Sequence, residues 1–316
     1  MIAIQENVPL APFTSLDIGG PARFFACAKN VTELREALLF ARRQGLSFRI
    51  IGGGTNMLVS DAGFDGLIIR LKFEGIGVSG DRVLAEAGVD LTELVQRTAQ
   101  WGFSGMESLA GIPGLLGGAV RGNAGAYGSC IGEVTETVFA LQAETLELLA
   151  LDREVCAFAY RSSRFKRDPL LIVVSALLAL LPGDAAESRS KVEGTIAKRI
   201  ARNLQCQKSV GSFFMNPLVT DEQLIRRFET DQKVFCREGR IPAGWLIDQA
   251  GLRNTRIGGA TVSALHANYL INAEKATACE MVRLASLIKS GVRATLGVQL
   301  QEEVSYLGIA PPVAPD

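Results

Sequence analysis

Histidine is almost missing from this chain: His266 is the only one in 316 residues. A histidine-rich metal site is therefore excluded, and no metal ligand set is expected. No Gly-x-Ser-x-Gly elbow occurs either, so a hydrolase triad has little to stand on. The six cysteines (Cys27, Cys130, Cys156, Cys206, Cys236 and Cys279) are widely separated, which excludes a Cys-x-x-Cys pair and a dense disulfide framework. They read as reduced, mostly buried thiols. Net charge is also lacking, with 33 basic and 33 acidic residues. No basic surface for nucleic acid is indicated. No run of about 18 consecutive apolar residues exists, so no membrane insertion is expected. The first thirteen residues, Met1 to Phe13, lack the basic-then-apolar pattern of a secretory signal. These absences together lead to the expectation of a cytoplasmic protein.

The chain has an ordinary globular balance, 48% apolar and 21% charged. Its length exceeds what one core usually accommodates, so two or three compact units are expected. Strands and helices alternate at first. Asn30 and Glu33 can cap a helix carrying Leu34, Leu38 and Ala41, which ends at Gln44-Gly45. Phe48–Ile51 and Leu67–Leu71 read as strands, and Gly75 to Gly88 as a hairpin turning at Ser79-Gly80-Asp81. A domain boundary is placed near residue 75. Asp90 and Glu93 form a capping signature for a helix with Leu91, Leu94 and Val95 on one face, stopping at Gly102. Strand-like stretches follow over 138–151 and 170–181, and a polar, basic stretch over 188–203 suits an exposed helix. A third region, 211–272, has turn signals at Asn216-Pro217 and Gly258-Gly259. Residues 281–296 form an amphipathic helix with Met281, Leu284, Leu287 and Ile288. The proline-rich tail from Ile309 is expected to be disordered.

Glycine is concentrated in two places. Gly52, Gly53 and Gly54 follow a strand and precede Thr55, Asn56 and Met57. Such a turn can aim backbone N–H groups at phosphate oxygens. It is not the dinucleotide fingerprint, because Met57 stands where the third glycine belongs, and no Gly-Lys-Ser/Thr follows to make a P-loop. The run from Gly111 to Gly128 is denser in glycine than a connector needs. Within it Gly111, Ile112, Pro113 and Gly114 turn the backbone sharply, and Asn123, Ala124 and Gly125 can approach a ligand. Two such clusters in adjacent domains suggest a dinucleotide between them. Tyr160 precedes Arg161, a cation able to clamp a carboxylate. Ser212 lies beside Phe213 and Phe214, where a serine in an apolar wall can donate a proton to developing charge. Taken alone, these segments also suit a charged surface, a turn serine, a structural His266, and solvated glutamates at Glu302 and Glu303 ending the last helical segment.

Order and spacing add more. Asp17–Ala22, Gly52–Asn56, Gly111–Gly114 with Gly122–Ala126, Tyr160-Arg161, Gly211–Phe214 with Asn216-Pro217, Leu246–Leu252 with Ile257–Ala260, His266–Asn268 and Glu303-Val304 succeed one another as in the UDP-N-acetylenolpyruvoylglucosamine reductase family. The chain resembles that family from about residue 10 to about 308, in its short form lacking a tyrosine-bearing loop. The resemblance implies an α+β fold: a FAD-binding, vanillyl-alcohol-oxidase (PCMH)-type pair of subdomains plus a C-terminal α+β substrate-binding domain. The division would be 1–75 (joined by 299–316), 76–203 and 204–298.

It implies non-covalent FAD, NADPH as co-substrate, and reduction of the enolpyruvyl ether of a UDP-sugar to UDP-N-acetylmuramate in peptidoglycan precursor synthesis. Arg161, Ser212 and Glu303 would be catalytic. Gly52–Met57, Gly111–Gly114 and Asn123–Gly125 would hold FAD, and Tyr160, Asn216 and His266 would face substrate. A monomer is the favoured state. The chain departs from the family at Met215 (usually Lys), at Ser305 (usually Arg) and in Gln205–Lys208. A related FAD-dependent oxidase or dehydrogenase acting on another substrate is the alternative reading. A non-catalytic nucleotide-sugar binder is a third.

Overall fold

The computed structural model describes residues 2–204 and 206–309. The proline-rich tail beyond Ile309 and Gln205 lie outside them. Contacts divide the chain into two compact units.

The first unit comprises Met1–Val8, Ala22–Gly54 and Asp65–Ala201. One sheet has the order Ile4–Pro9, Pro21–Ala28, Phe64–Leu71, Phe48–Ile51, its last two strands parallel. Helix Val31–Arg43 is started by Asn30, whose side chain accepts the Glu33 N–H at 2.9 Å, and it buries Leu34, Ala37, Leu38 and Ala41. A second sheet is antiparallel throughout, in the order Leu148–Asp152, Thr135–Gln142, Leu171–Ala179, Arg82–Glu86, Ile76–Ser79. Its central strand Leu171–Ala179 is buried almost without interruption, which explains its continuous apolar sequence. The stretch 138–151 is two strands joined by a turn. Helix Leu91–Gln100 is capped by Asp90 as expected, and helix Ala185–Ala201 packs against it through Val192. One apolar core joins both sheets through Leu67, Ile69, Val83, Val138, Ile172 and Leu178.

The second unit gathers Pro9–Pro21, Thr55–Phe64 and Arg202–Asp316. A three-stranded antiparallel meander, Arg256–Ile257, Ala260–Val262 and Leu270–Asn272, packs on helix Ala278–Leu296. That helix begins three residues before its apolar periodicity does. Thr277 and Glu280 form a reciprocal capping box there, and the Asp61 carboxylate accepts the N–H groups of Ala278 at 2.8 Å and Cys279 at 3.1 Å. It ends at Gly297 in the left-handed conformation. Met57–Val59 and Ser305–Leu307 form a parallel pair. The core contains Leu16, Leu58, Phe213, Phe214, Met281 and Ile288.

Two expectations are corrected. Gln301–Val304 does not end a helix; it is extended backbone beyond the helix that stops at Leu296. Cys27, Cys206 and Cys279 are exposed and only Cys156 and Cys236 are buried. Cys27 sits at an outward position of a strand whose neighbours Ala26 and Ala28 point inward.

Candidate active site

In the first unit the candidate residues fall on loops pinned by backbone bonds. Gly111 N–H donates to the Thr92 hydroxyl at 3.2 Å, and Leu91 N–H donates to the Gly114 carbonyl at 3.0 Å. The turn at Ile112 and Pro113 is thus fastened to the start of helix Leu91–Gln100. At Gly114 φ is +130°, which only glycine adopts without strain. The middle of the glycine-rich run is then a helix, Leu116–Gly122. Its first N–H groups are taken: Leu116 donates to the Val89 carbonyl and Gly117 to the Ala87 carbonyl, both at 2.9 Å. Phosphate capture by this helix start is therefore not what the geometry offers.

Space, rather than a dipole, is what the run provides. A Cβ on Gly117 would strike the Ala87 Cβ at 2.9 Å, so internal packing explains that glycine. A Cβ on Gly118 would meet nothing within 4 Å, and one on Gly52 only the Leu115 side chain at 3.8 Å. A glycine inside a helix costs about 1 kcal/mol relative to alanine. Nothing within the protein requires one at Gly118, whereas close approach of a flat or phosphate-bearing group would. The residues present fit FAD on this count. Gly118 escaped sequence reasoning because glycine density alone does not separate packing glycines from open ones.

Asn123 is buried in the left-handed conformation, and both ends of its amide serve the protein. Its Nδ2 donates to the Ala159 carbonyl at 2.9 Å and its Oδ1 accepts the Gly132 N–H at 3.0 Å. This ties the glycine-rich run to a two-residue hairpin. Ala159 and Ser162 exchange N–H···O bonds of 3.0 Å, leaving Tyr160 and Arg161 at the tip. Arg161 has φ of +54°, a conformation that costs a non-glycine residue about 1–2 kcal/mol and marks a constrained position. Its Nη1 donates to the Gly125 carbonyl at 3.1 Å, and its guanidinium lies 5.5 Å from the Tyr160 ring centroid. So Asn123, Gly125, Tyr160 and Arg161 are brought together. Arg199, not singled out from sequence, stacks on Tyr127 at 5.4 Å and runs its stem past Gly111.

The Gly52–Met57 run crosses between units, Gly54 closing a segment of the first and Thr55 opening a segment of the second. In the second unit Asn56 donates through Nδ2 to the Glu303 carbonyl at 3.3 Å, and its own carbonyl accepts the Ser305 N–H at 3.1 Å. Met57 pairs with Ser305.

Ser212 to Met215 lies antiparallel to Gln301–Glu303. Glu303 N–H donates to the Phe213 carbonyl at 2.8 Å, Met215 N–H donates to the Gln301 carbonyl at 2.9 Å, and Phe214 faces Glu302. On its other side Phe214 is clamped by Asn268, whose Oδ1 accepts the Phe214 N–H and whose Nδ2 donates to the Phe214 carbonyl, each at 2.9 Å. Phe213 N–H donates to the Asn268 carbonyl at 2.8 Å. Phe213, Phe214 and Asn268 are all at most 2% exposed. The half-buried Ser212 therefore sits on a fixed backbone, one residue before the carbonyl that holds Glu303.

Asn216 accepts the Ala243 N–H at 3.0 Å through Oδ1, supplying the cap that Pro242 cannot give to helix Ala243–Gln249. His266 accepts the Asn268 N–H on Nδ1 at 3.2 Å and stands against Tyr269 at 5.0 Å. Burial first, and Arg202 next, hold its pKa below the ordinary imidazole value. It is a neutral ring at physiological pH. Lys208 is ion-paired with Asp17 at 2.6 Å on an exposed surface. Among the described residues no cluster of three metal-ligating side chains occurs, and no helix is long and apolar enough to cross a membrane.

Residues 22–145 match the model of a FAD-binding domain. The first unit and its open glycines thus belong to a flavoprotein. Residues 203–307 match a second model, the UDP-N-acetylenolpyruvoylglucosamine reductase C-terminal domain. Full-length relatives agree. A protein of Solibacter usitatus named UDP-N-acetylenolpyruvoylglucosamine reductase is 37% identical over 307 residues, covering 97% of each chain. One of Carboxydothermus hydrogenoformans with the same name is 39% identical, covering 96% of this chain and 94% of its own. The crystal structure of the Thermus caldophilus reductase superposes with a TM-score of 0.78 at 28% identity, over 97% of this chain and all of that one. The chain belongs to the UDP-N-acetylenolpyruvoylglucosamine reductase family, oxidoreductases of peptidoglycan synthesis that carry FAD.

Proposed function

We propose that this protein uses NADPH to reduce the enolpyruvyl ether of UDP-N-acetylenolpyruvoylglucosamine to UDP-N-acetylmuramate. The observation that supports the reading most is the pairing of the segment that carries Ser212 with the segment that carries Glu303, on a backbone held by Asn268. FAD, when bound, would supply the hydride chemistry, with NADPH as the hydride source and flavin N5 to C3 of the enolpyruvyl group as the transfer. Gly52, Gly53, Gly54, Gly111 to Gly114 and the 123–125 backbone would hold it, with Gly118 leaving room. Thr55, Asn56 and Met57 complete that set.

Ser212 donates the proton to C2 as negative charge builds there and on the carboxylate. Its position next to two buried phenylalanines lowers the local dielectric and strengthens that transfer. Arg161, already constrained at a hairpin tip, offers a fixed cation to the same charge. Glu303, in its protonated form, would donate a hydrogen bond to the carboxylate. Tyr160, Asn216 and His266 face substrate, Asn216 doing so from a position stiffened by its capping role. The three-part division at residues 75 and 203 is proposed as the functional layout, with the protein acting in the cytoplasm as a monomer.

Anaerobic addition of NADPH followed by the sugar nucleotide tests the reading. The flavin absorbance bleaches on the first addition and returns on the second. Bleaching without return would leave a flavoprotein of another substrate.

A further inference from the structure

The helix Ala278–Leu296 and the extended segment Gln301–Glu303 are joined by a half-buried ion pair. Lys289 Nζ lies 2.7 Å from Glu302 Oε1, with side chains 17% and 16% exposed. The contact is a close ion pair rather than an aligned hydrogen bond. The Tyr306 hydroxyl is buried alongside. Burial, then the Glu302 charge, push its pKa up, so it stays protonated.

Partly burying two charges is an inefficient way to gain stability, because desolvation offsets much of their attraction. An apolar pair of similar size would hold the helix and the strand together at least as well. A charged pair has one property the apolar pair lacks, which is that it accepts a single register. Here register matters unusually. The chain carries two adjacent glutamates, Glu302 and Glu303. Glu302 faces Phe214, while Glu303 bonds to Phe213. A slip of one residue exchanges the faces of an extended segment and would offer Glu302 where Glu303 belongs.

We propose that Lys289 and Glu302 are positioning residues: their ion pair selects the register in which Glu303, and not its neighbour, pairs with Phe213 in the segment that carries Ser212. This rests on the reading of Ser212 and Glu303 given above. Lys289 is fixed to do so. The residues around it on the helix, Leu284, Ala285, Ile288 and Val292, are in the core, and the helix start is closed by its capping box and by Asp61. Glu302 is thereby anchored to a helix capped at both ends.

The test uses the full-length flavoprotein with Lys289→Met and Glu302→Leu combined, so that neither charge is left buried alone. A charge-reversed pair, Lys289→Glu with Glu302→Lys, is the second variant. Hydrogen exchange is read at the Met215 and Glu303 amides, and the two half-reactions are timed separately. In the apolar variant exchange at those two amides quickens at least tenfold, while the amides of helix Ala278–Leu296 keep their protection. Flavin reduction by NADPH is unchanged, and reoxidation by the sugar nucleotide slows about 10- to 100-fold in kcat, as a displacement of about 1 Å can produce. The reversed pair recovers part of that loss. Unchanged protection at Met215 and Glu303 overturns the proposal whatever the activity. So does a parallel loss in both half-reactions with a general loss of protection, which would mark a merely structural pair. Failure of the unaltered protein to be reoxidised counts against the substrate reading instead, and the exchange data still decide the register.

Discussion

Replacing Asn268 by alanine removes both side-chain bonds that close on Phe214. The N–H and C=O of Phe214 are then left in a region about 1% exposed, where water cannot readily replace the amide. Each buried, unsatisfied backbone group costs about 1–3 kcal/mol. Two give roughly 2–6 kcal/mol, with a small cavity adding to the lower figure. With a urea dependence of about 1–3 kcal/mol per molar, a loss of about 3 kcal/mol lowers the unfolding midpoint by about 1–3 M. The assay is equilibrium urea unfolding followed by tryptophan emission, since Trp245 lies in the same core. Asn268→Asp is the companion. It keeps an acceptor for the Phe214 N–H but turns a carboxylate oxygen toward the Phe214 carbonyl, so at neutral pH it destabilises at least as much. Because Ser212 is two residues from Phe214, reoxidation by substrate falls further than reduction by NADPH in either variant. A midpoint within about 0.3 M of the unaltered protein for Asn268→Ala would refute the clamp and the fixed placement of Ser212 drawn from it.

Ser212→Ala leaves reduction by NADPH intact and slows reoxidation by several powers of ten in stopped-flow traces; near-normal turnover would remove Ser212 as proton donor. Gly118→Ala raises the melting temperature of the flavin-free protein, a gain of up to about 1 kcal/mol, yet weakens FAD binding in a titration. If both quantities move the same way, the open space at Gly118 is not a ligand space. His266 loses its proton more readily folded than unfolded, so its contribution to stability is fully present above the unfolded value of about 6.5 and is lost as pH falls through the lower folded value. Stability measured by urea unfolding falls by at most about 1.4 kcal/mol per pH unit across that window, and as the chain has no second histidine, His266→Asn should flatten the slope.

Local structure was legible where it is made by neighbours in sequence. Asn30 and Asp90 cap the helices assigned to them, and the hairpin turns at Gly80-Asp81. The start of helix Ala278–Leu296 is marked by its cap and not by its periodicity, because apolar periodicity begins at Met281 while the Thr277–Glu280 capping box opens four residues earlier. The helix Leu116–Gly122 was hidden by its own glycines, whose low propensity is overridden by bonds to Ala87 and Val89. Glu303 read alone as a solvated glutamate. Its partner strand lies about ninety residues away, and no local pattern reports such a pairing. Asn268 is legible only as part of an ordered motif, because its partner Phe214 is 54 residues away; Lys289 carries no sequence signal, because its partner Glu302 lies beyond the end of its own helix.

The parallel pairing of Met57–Val59 with Ser305–Leu307 has a consequence for biosynthesis. A segment made early must wait, without its strand partner, while about 250 further residues leave the ribosome. The first unit draws on nothing beyond Ala201 and can condense in that interval. The second cannot, because Leu16, Leu58 and Phe213 share its core with Leu300 and Val304. The nascent chain therefore holds Leu16 and Leu58 exposed through most of translation, which is when a holdase chaperone would have most to cover. Slowing the ribosome near residue 250 should lengthen that exposure and lower soluble yield, whereas the same pause near residue 150 should cost less.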